Sequence, residues 1–235
     1  MFRRFIACAT DAIAHPVGSI MNRVAMRQAR DIPLERQKRA LATTVDYVQA
    51  HMGDVRPVST KYQLLSQAFA QADVSKDRLI CEFGVFQGST INHIAQMTSK
   101  RIFGFDSFEG LPEAWGSGLE SGHFAVKKLP PVPSHVTLIK GWFNETLPAF
   151  LSENQGVVGF LHVDCDLYVS TKIVFDMLGS RLAAGTIIVF DEYFNYPDWE
   201  EGEFKAFSEF MSRTGLTCEF IGYCAKEQQV AVKLK

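Results

Sequence analysis

Residues 78–106 restrict the possible folds of this 235-residue chain more than any other segment. An apolar run ends at Glu82 and is followed by the glycines of E-F-G-V-F-Q-G, a helical pattern and a second apolar run that stops at Asp106. Strand, glycine turn, helix and a strand ending in an acid form the nucleotide-binding half of a doubly wound α/β fold. At the end of the second strand, Asp106 could accept hydrogen bonds from both hydroxyls of a ribose.

The glycine turn differs from the turn that binds dinucleotides. Its pattern is E-x-G-x-x-x-G, formed by Glu82, Gly84 and Gly88, and it lacks the third glycine that permits close packing around a pyrophosphate. The glycines let the backbone approach a ligand where a Cβ atom would clash. An acid before the turn and the missing glycine favour a ligand without phosphates, such as a cationic one. A nucleotide-dependent oxidoreductase or sugar-modifying enzyme is an alternative on a similar fold.

The remaining apolar runs complete the pattern of one α/β domain. Together with 79–81 and 102–105, they predict a doubly wound, mostly parallel seven-stranded sheet of the Rossmann-like type, and they lie at 135–139, 157–163, 186–190, 217–223 and 230–234. Residues 1–77 have helical patterns and are predicted to lie outside the sheet. We assign 1–58 to an N-terminal helical extension that could form a lid or an oligomer contact, and 59–235 to the α/β domain.

Helical spacing of apolar residues predicts the connecting elements. The predicted helices cover 36–51, 61–72, 147–151 and 200–213, and a further helix starts at Ser170 and Thr171 and is stopped by Gly185. Asn144 is a candidate cap for the helix at 147–151. The loop at 115–133, rich in Gly, Ser and Pro, is long enough to be functional or mobile.

Composition excludes several classes of partner. The 24 basic and 26 acidic residues give a net charge of −2, without the concentrated basic face that nucleic acid requires. The five cysteines have no zinc-ligand spacing and are interpreted as reduced thiols. No apolar run has the length of a membrane span. Asp11 interrupts the short apolar N-terminal stretch, so we do not interpret it as a signal peptide and expect a cytoplasmic protein.

Carboxyl groups follow four of the predicted parallel strands. Ligands of open α/β sheets bind outside the carboxyl ends of the strands, so these side chains should converge on one crevice. Acids are rare at buried strand ends unless they are paired or bind a cation. The acids are Glu82, Asp106, Asp164, Asp166, Asp191 and Glu192.

Oxygen-only ligands without histidine or cysteine partners favour a hard cation such as Mg²⁺, Mn²⁺ or Ca²⁺ rather than zinc. Our predicted metal ligands are Asp164, Asp191 and Glu192. Such an ion could hold two adjacent hydroxyls of a substrate and lower the pKa of one of them. Asp166 would then accept the proton. His162 lies on the same strand face as Asp164 but deeper, and is interpreted as an orienting or core histidine.

Five motifs in order resemble those of the macrocin O-methyltransferase family. They are E-F-G-V-F-Q-G-S-T, F-G-F-D-S-F-E-G-L-P, G-W-F-N-E-T-L-P, H-V-D-C-D-L-Y-V-S-T and G-T-I-I-V-F-D-E-Y, within a match over residues 59–209. The family comprises class I, S-adenosylmethionine-dependent and Mg²⁺-dependent enzymes that methylate sugar hydroxyls of antibiotics. The sequence departs from the family at Glu192, where these enzymes usually carry aspartate.

The resemblance implies a role for each matching residue. Glu82 would lie near the cationic end of the cofactor, Asp106 would hold the ribose, and Trp142 and Phe143 would border the adenine. The implied cofactor-binding residues are Glu82, Gly84, Val85, Phe86, Gly88, Ser89, Thr90, Asp106, Ser107, Phe108, Gly141, Trp142, Phe143 and Asp164. Asp164, Asp191 and Glu192 would match the metal ligands, and Asp166, with Asp164, would form the catalytic pair.

The sequence therefore predicts an O-methyltransferase that uses S-adenosylmethionine and Mg²⁺ and acts on a hydroxyl of a small molecule such as a sugar or natural-product intermediate. One alternative keeps the methyl donor but has an amine, carboxylate or catechol as acceptor. Another is a non-catalytic scaffold with a methyltransferase-like fold. No nucleic-acid or membrane partner is expected, and a helical extension of this kind predicts a homodimer.

Overall fold

The computed structural model describes residues 26–27, 29–75, 77–116 and 118–235. Within them, the longer α-helices are α1 (Ile32–His51), α2 (Lys61–Phe69), α3 (Ser89–Gln96), α4 (Phe143–Glu153), α5 (Tyr168–Leu178) and α6 (Glu203–Thr214). The strands are β1 (Pro57–Val58), β2 (Arg78–Phe83), β3 (Ile102–Asp106), β4 (Val136–Lys140), β5 (Val157–Val163), β6 (Ile187–Phe190), β7 (Cys218–Cys224) and β8 (Val230–Leu234).

These strands form one eight-stranded sheet in the order β1-β7-β8-β6-β5-β2-β3-β4. Strands β6, β5, β2, β3 and β4 are parallel, and β8 is antiparallel to both β6 and β7. The order reverses between β5 and β2, which is the switch point at which doubly wound folds bind ligands. The predicted doubly wound, mostly parallel fold is confirmed, and all seven predicted strands belong to the sheet, which has one further strand.

The eighth strand corrects the expectation that residues 1–77 lie outside the sheet. Pro57 and Val58 pair in parallel with Tyr223 and Cys224 at the edge of β7. A two-residue strand is too short for a periodic pattern, and proline is tolerated at an edge because the strand need not donate on its open side. This edge strand ties the start of α2 to the sheet.

Two apolar layers cover the sheet. On one side, α2 and α3 pack through residues such as Leu65 and Ile91. On the other, α4, α5 and α6 supply a largely aromatic layer that includes Phe150, Phe175 and Phe210. Strand β5 is buried along almost its whole length, as its apolar sequence predicts. The core therefore holds the carboxyl ends of the central strands in fixed positions.

Several predicted helix ends are wrong by a few residues. Helix α4 begins at Phe143 with Trp142 as its cap, so Asn144 lies inside the first turn and does not cap it. Helix α5 begins at Tyr168 and ends at Leu178, before Gly185. Helix α1 ends at His51 as predicted but begins earlier, at Ile32, helix α6 is shifted to Glu203–Thr214, and helix α2 ends earlier, at Phe69. Apolar periodicity locates a buried face but does not define where the terminal hydrogen bonds stop.

None of the helices in the described part of the chain combines the length and apolar character that a membrane crossing requires.

Candidate active site

A cavity of about 740 Å³ lies at the carboxyl ends of the parallel strands. Most residues predicted for the site line it: Gly84, Val85, Phe86, Ser89, Thr90, Asp106, Ser107, Trp142, Phe143, Asp164, Asp166, Asp191 and Glu192. Glu82, Gly88, Phe108 and Gly141 are not among the lining residues. The switch point of the sheet therefore brings the predicted cofactor turn and the predicted acids into the same cavity.

The glycine turn packs directly against the end of β5. Gly84 has a φ of +89°, and a Cβ atom there would overlap the backbone carbonyl of Asp164. The backbone N–H of Asp164 donates to the carbonyl of Phe83 at 2.8 Å, which holds the two segments together. Only glycine satisfies both the positive φ and the close approach. The turn is thus positioned by the same segment that carries the catalytic candidates.

Asp106 shapes the turn through three backbone hydrogen bonds. Its Oδ2 accepts from the N–H groups of Val85 and Phe86, both at 2.8 Å, and its Oδ1 accepts from Phe108 at 2.6 Å. A carboxylate offers about four acceptor positions, so about one remains for a ligand. Phe86 and Phe108 have φ values of 46° and 57°, and these bonds hold that backbone in place. The carboxylate predicted to hold a ribose therefore also builds the loop around it.

Glu82 lies behind the cavity, and not on its wall. Its side chain has no exposure; Oε2 lies 3.0 Å from Nδ1 of His162, and Oε1 accepts from the hydroxyl of Thr90 at 3.1 Å. Burial lowers the pKa of His162, but the hydrogen bond and charge of Glu82 outweigh it and raise that pKa above its ordinary value. The carboxylate of Glu82 therefore contacts His162 and Thr90 and does not reach the wall of the cavity.

Two of the three predicted metal ligands come together. Asp164, Asp191 and His162 each present a ligand atom, and these atoms all lie within 4.8 Å of one another. Of the residues described, Glu192 does not complete such a group. Its backbone N–H donates to Glu203 Oε2 at 3.2 Å, and its Oε2 has no hydrogen-bond partner among the described residues. The donor set that fits a divalent cation is thus Asp164 and Asp191, with His162 within reach.

The acids raise one another's pKa. Burial, followed by the charge of Asp191, raises the pKa of Asp164 well above its ordinary value. The same two causes raise the pKa of Glu192. For Asp166, burial and the charges of Asp191 and Asp106 raise the pKa to about 7. Since each shift reports that another negative charge is unfavourable here, a positive charge would stabilise the cluster.

Lys61 is a residue of the site that sequence reasoning missed. Its Nζ lies 3.2 Å from Oδ2 and 3.4 Å from Oδ1 of Asp191. Burial lowers the pKa of this amine, but Asp191 and Asp164 outweigh burial and raise it. Lys61 is the first residue of α2, where the helix dipole disfavours a cation. That unfavourable placement is the one sequence signal that could have marked it.

The loop at 115–133 supplies the aromatic side chains of Trp115 and Phe124 to the cavity. Phe86 and Phe124 stack edge to face with centroids 5.3 Å apart, and Trp115 lies 6.0 Å from Tyr196. Trp115 and Phe124 line the cavity together with Leu111. These residues give the cavity an apolar wall.

Comparisons with known proteins agree with this geometry. Residues 81–193 match the family model described as a methyltransferase domain, a segment that holds every site residue predicted from the sequence. A relative from Streptomyces olivaceus, 8-demethyl-8-(2,3-dimethoxy-alpha-L-rhamnosyl)-tetracenomycin-C 4'-O-methyltransferase, is 27% identical over 115 residues. That match covers 41% of this chain and 43% of the relative, less than half of either protein.

Two solved structures show the same fold. The calicheamicin methyltransferase CalS11 is 25% identical, with a TM-score of 0.62 over 73% of this chain and 77% of that protein. The O-methyltransferase NovP is 18% identical, with a TM-score of 0.55 over 73% and 76% of the two chains, and supports the fold alone. These matches do not support the oxidoreductase alternative. Residues 81–193 therefore match a methyltransferase domain, and the chain has the Rossmann-like α/β fold of class I methyltransferases.

Proposed function

We propose that this protein is an O-methyltransferase that uses S-adenosylmethionine, assisted by a divalent cation, to methylate a hydroxyl of a small molecule. The observation that carries the proposal is that the glycine turn and Asp166 line the same cavity. The turn offers a binding surface for a methyl donor, and Asp166 offers a proton acceptor. The resemblance to the macrocin O-methyltransferases and the similarity to a rhamnosyl 4'-O-methyltransferase favour a sugar or natural-product intermediate as acceptor.

The cofactor half of the cavity has the groups that such a donor requires. Asp106 keeps about one acceptor position for a ribose hydroxyl, and the indole of Trp142 and the ring of Phe143 offer apolar faces to an adenine. When bound, S-adenosylmethionine supplies an activated methyl group to the acceptor oxygen. The chain's part is to hold the acceptor next to it, and such positioning accounts for much of the rate in reactions of this type.

Asp166 suits the role of general base. A base works best when its pKa lies near the working pH, and burial beside Asp191 and Asp106 places the pKa of Asp166 at about 7. Asp166 also has a φ of 62°, a conformation that directs the chain from the end of β5 into α5. Asp164 and Asp191 are the groups that would hold a divalent cation, whose contribution would be to lower the pKa of the acceptor hydroxyl.

The charge of the cavity favours an uncharged acceptor. Six lining residues carry carboxyl groups, whereas Lys61 is the one lysine or arginine among the lining residues that the structure describes. An acceptor carboxylate would be repelled, which disfavours that alternative, whereas an amine would not be repelled. The apolar wall of Trp115, Phe124 and Leu111 suits the ring of a glycoside or its aglycone. A sugar hydroxyl of a neutral glycoside satisfies both properties.

The proposal is tested by methyl transfer from labelled S-adenosylmethionine to a panel of neutral glycosides, catechols, amines and carboxylates, with and without a chelator. We expect transfer to a neutral glycoside, a loss of rate with the chelator and its return on addition of Mg²⁺ or Mn²⁺. Asp176→Asn, an exposed acid on α5, is the matched control for Asp166→Asn. Binding of S-adenosylhomocysteine without transfer to any acceptor would instead support the scaffold alternative.

The homodimer, the cytoplasmic location and the role of residues 1–58 as a lid stay predictions. Light scattering coupled to size-exclusion chromatography measures the first of these directly, and a monomer mass would contradict it.

A further inference from the structure

We propose that Lys61 and a divalent cation compete for the carboxylates of Asp164 and Asp191. In this proposal the ammonium group of Lys61 neutralises the acids when no cation is bound and leaves Asp191 when one binds. The inference rests on the cation site of the proposed function, but concerns a residue that lies outside the methyltransferase segment at 81–193. It makes Lys61 a determinant of cation affinity.

The ammonium group of Lys61 and a divalent cation would contact the same carboxylate oxygens of Asp191. The Nζ of Lys61 lies 3.2 Å and 3.4 Å from the two carboxylate oxygens of Asp191. A divalent cation would bind at about 2.0–2.6 Å from the same oxygens. The ammonium and the metal would then be close neighbours of like charge on one carboxylate, an arrangement that disfavours joint occupation.

The group formed by His162, Asp164 and Asp191 also contains a potential ligand atom that Lys61 does not contact. The side chain of His162 is fully buried, and its Nε2 has no hydrogen-bond partner among the residues described. This nitrogen lies 4.0 Å from Oδ1 of Asp191, and His162 is a member of the group whose ligand atoms lie within 4.8 Å of one another. A buried nitrogen in that position points to a ligand beyond the ammonium of Lys61.

The side chain of Lys61 can move away from Asp191 without disturbing the fold. Its side chain is 30% exposed and lines the cavity, and the hydrogen bond that caps α2 is made by the neighbouring Thr60. The flexible four-carbon stem of lysine allows the ammonium to move toward solvent. Departure of Lys61 from Asp191 therefore leaves the start of α2 in place.

The test measures binding of Mn²⁺ to the metal-free full-length protein by electron paramagnetic resonance, without methyl donor or acceptor. Lys61→Met removes the charge and retains most of the side-chain volume, and we expect it to tighten Mn²⁺ binding about tenfold or more. Lys205→Met is the matched control, because Lys205 pairs with Glu201 on the surface and lies outside the cavity. It should bind Mn²⁺ as the wild type does.

Further variants separate competition from a change in folding. Lys61→Arg keeps the charge and should retain the weak affinity of the wild type, whereas Asp191→Asn should lose Mn²⁺ binding in the Lys61→Met protein. Equal or weaker Mn²⁺ affinity of a folded Lys61→Met protein would overturn the inference. Absence of Mn²⁺ binding in both proteins would also overturn it, while methyl transfer that persists in a chelator would show that the methyltransferase function stands without the cation.

Discussion

Nδ1 of His162 lies 3.0 Å from Oε2 of Glu82, and neither side chain is exposed to solvent. The two residues are register partners on the neighbouring strands β2 and β5. Thr90 of α3 donates to the other carboxylate oxygen of Glu82. A buried, hydrogen-bonded pair of side chains thus joins two strands and a helix directly beneath the cavity.

Glu82→Ala should lower the free energy of unfolding by about 3–5 kcal/mol, because it leaves the buried imidazole without its charged partner. The measurement is urea unfolding followed by circular dichroism. Glu219→Ala, which removes an exposed pair with Lys235, should cost about 0–1 kcal/mol. Equal losses in the two variants would show that the buried pair has no special contribution.

The same pair gives a pH dependence with a definite sign. Since the folded-state pKa of His162 is raised above 6.5, its contribution to stability is fully present below that value and is lost as pH rises through the raised pKa. The difference in unfolding free energy between wild type and Glu82→Ala should therefore shrink with increasing pH above 6.5. Urea midpoints across a pH series measure it, and a difference that grows with pH would contradict the assignment.

Asp166→Asn should lower turnover by about 10²–10⁴-fold, since a general base contributes a factor of that size. Asparagine keeps the shape of the side chain and tolerates the positive φ at this position. In the wild type, turnover should rise with pH through about 7 as Asp166 loses its proton, and the variant should lack this rise. Unchanged turnover, with Asp176→Asn as control, would exclude Asp166 as the base.

Asp106→Asn should weaken S-adenosylhomocysteine binding at least about tenfold, which corresponds to about 1.4 kcal/mol. An amide nitrogen cannot accept from the N–H groups of Val85 and Phe86, so both the turn and the ribose position are disturbed. Calorimetric titration measures the affinity, and we expect micromolar binding, about −8 kcal/mol, for the wild type. Asp73→Asn, an exposed acid that accepts from the backbone of Ser75, is the control and should bind normally.

Gly84→Ala should destabilise the protein by about 3 kcal/mol or more, because the new Cβ atom combines left-handed strain with overlap of the Asp164 carbonyl. Gly185→Ala separates these two causes. Gly185 has a φ of +92°, but its Cβ would meet no described atom within 4 Å, so its cost should be about 1–2 kcal/mol. Thermal unfolding compares the two variants, and similar losses would mean that the overlap is relieved at little cost.

The local sequence pattern is enough to predict which central strands end in acids and that these acids lie at one edge of the sheet. Apolar runs that end in acids locate β2, β3, β5 and β6, and parallel strands place their carboxyl ends at one edge of a sheet. That is why Asp106, Asp164, Asp166 and Asp191 could be assigned to one cavity before their positions were known. The strand positions follow from the periodicity of apolar residues, and the shared location of the acids follows from the parallel arrangement of the strands. One amino-acid sequence is therefore enough to predict both.

The contacts between side chains of the site depend on how distant segments of the chain pack. The contact between Lys61 and Asp191 joins residues 130 positions apart, through the edge strand β1 and the start of α2. The direction of Glu82 toward His162, and not toward the cavity, depends on the register of β2 against β5. Glu192 is not part of the group formed by His162, Asp164 and Asp191, and its backbone N–H donates to Glu203 of α6. Such contacts arise when distant segments pack together, and the local pattern of apolar and charged residues does not encode that packing.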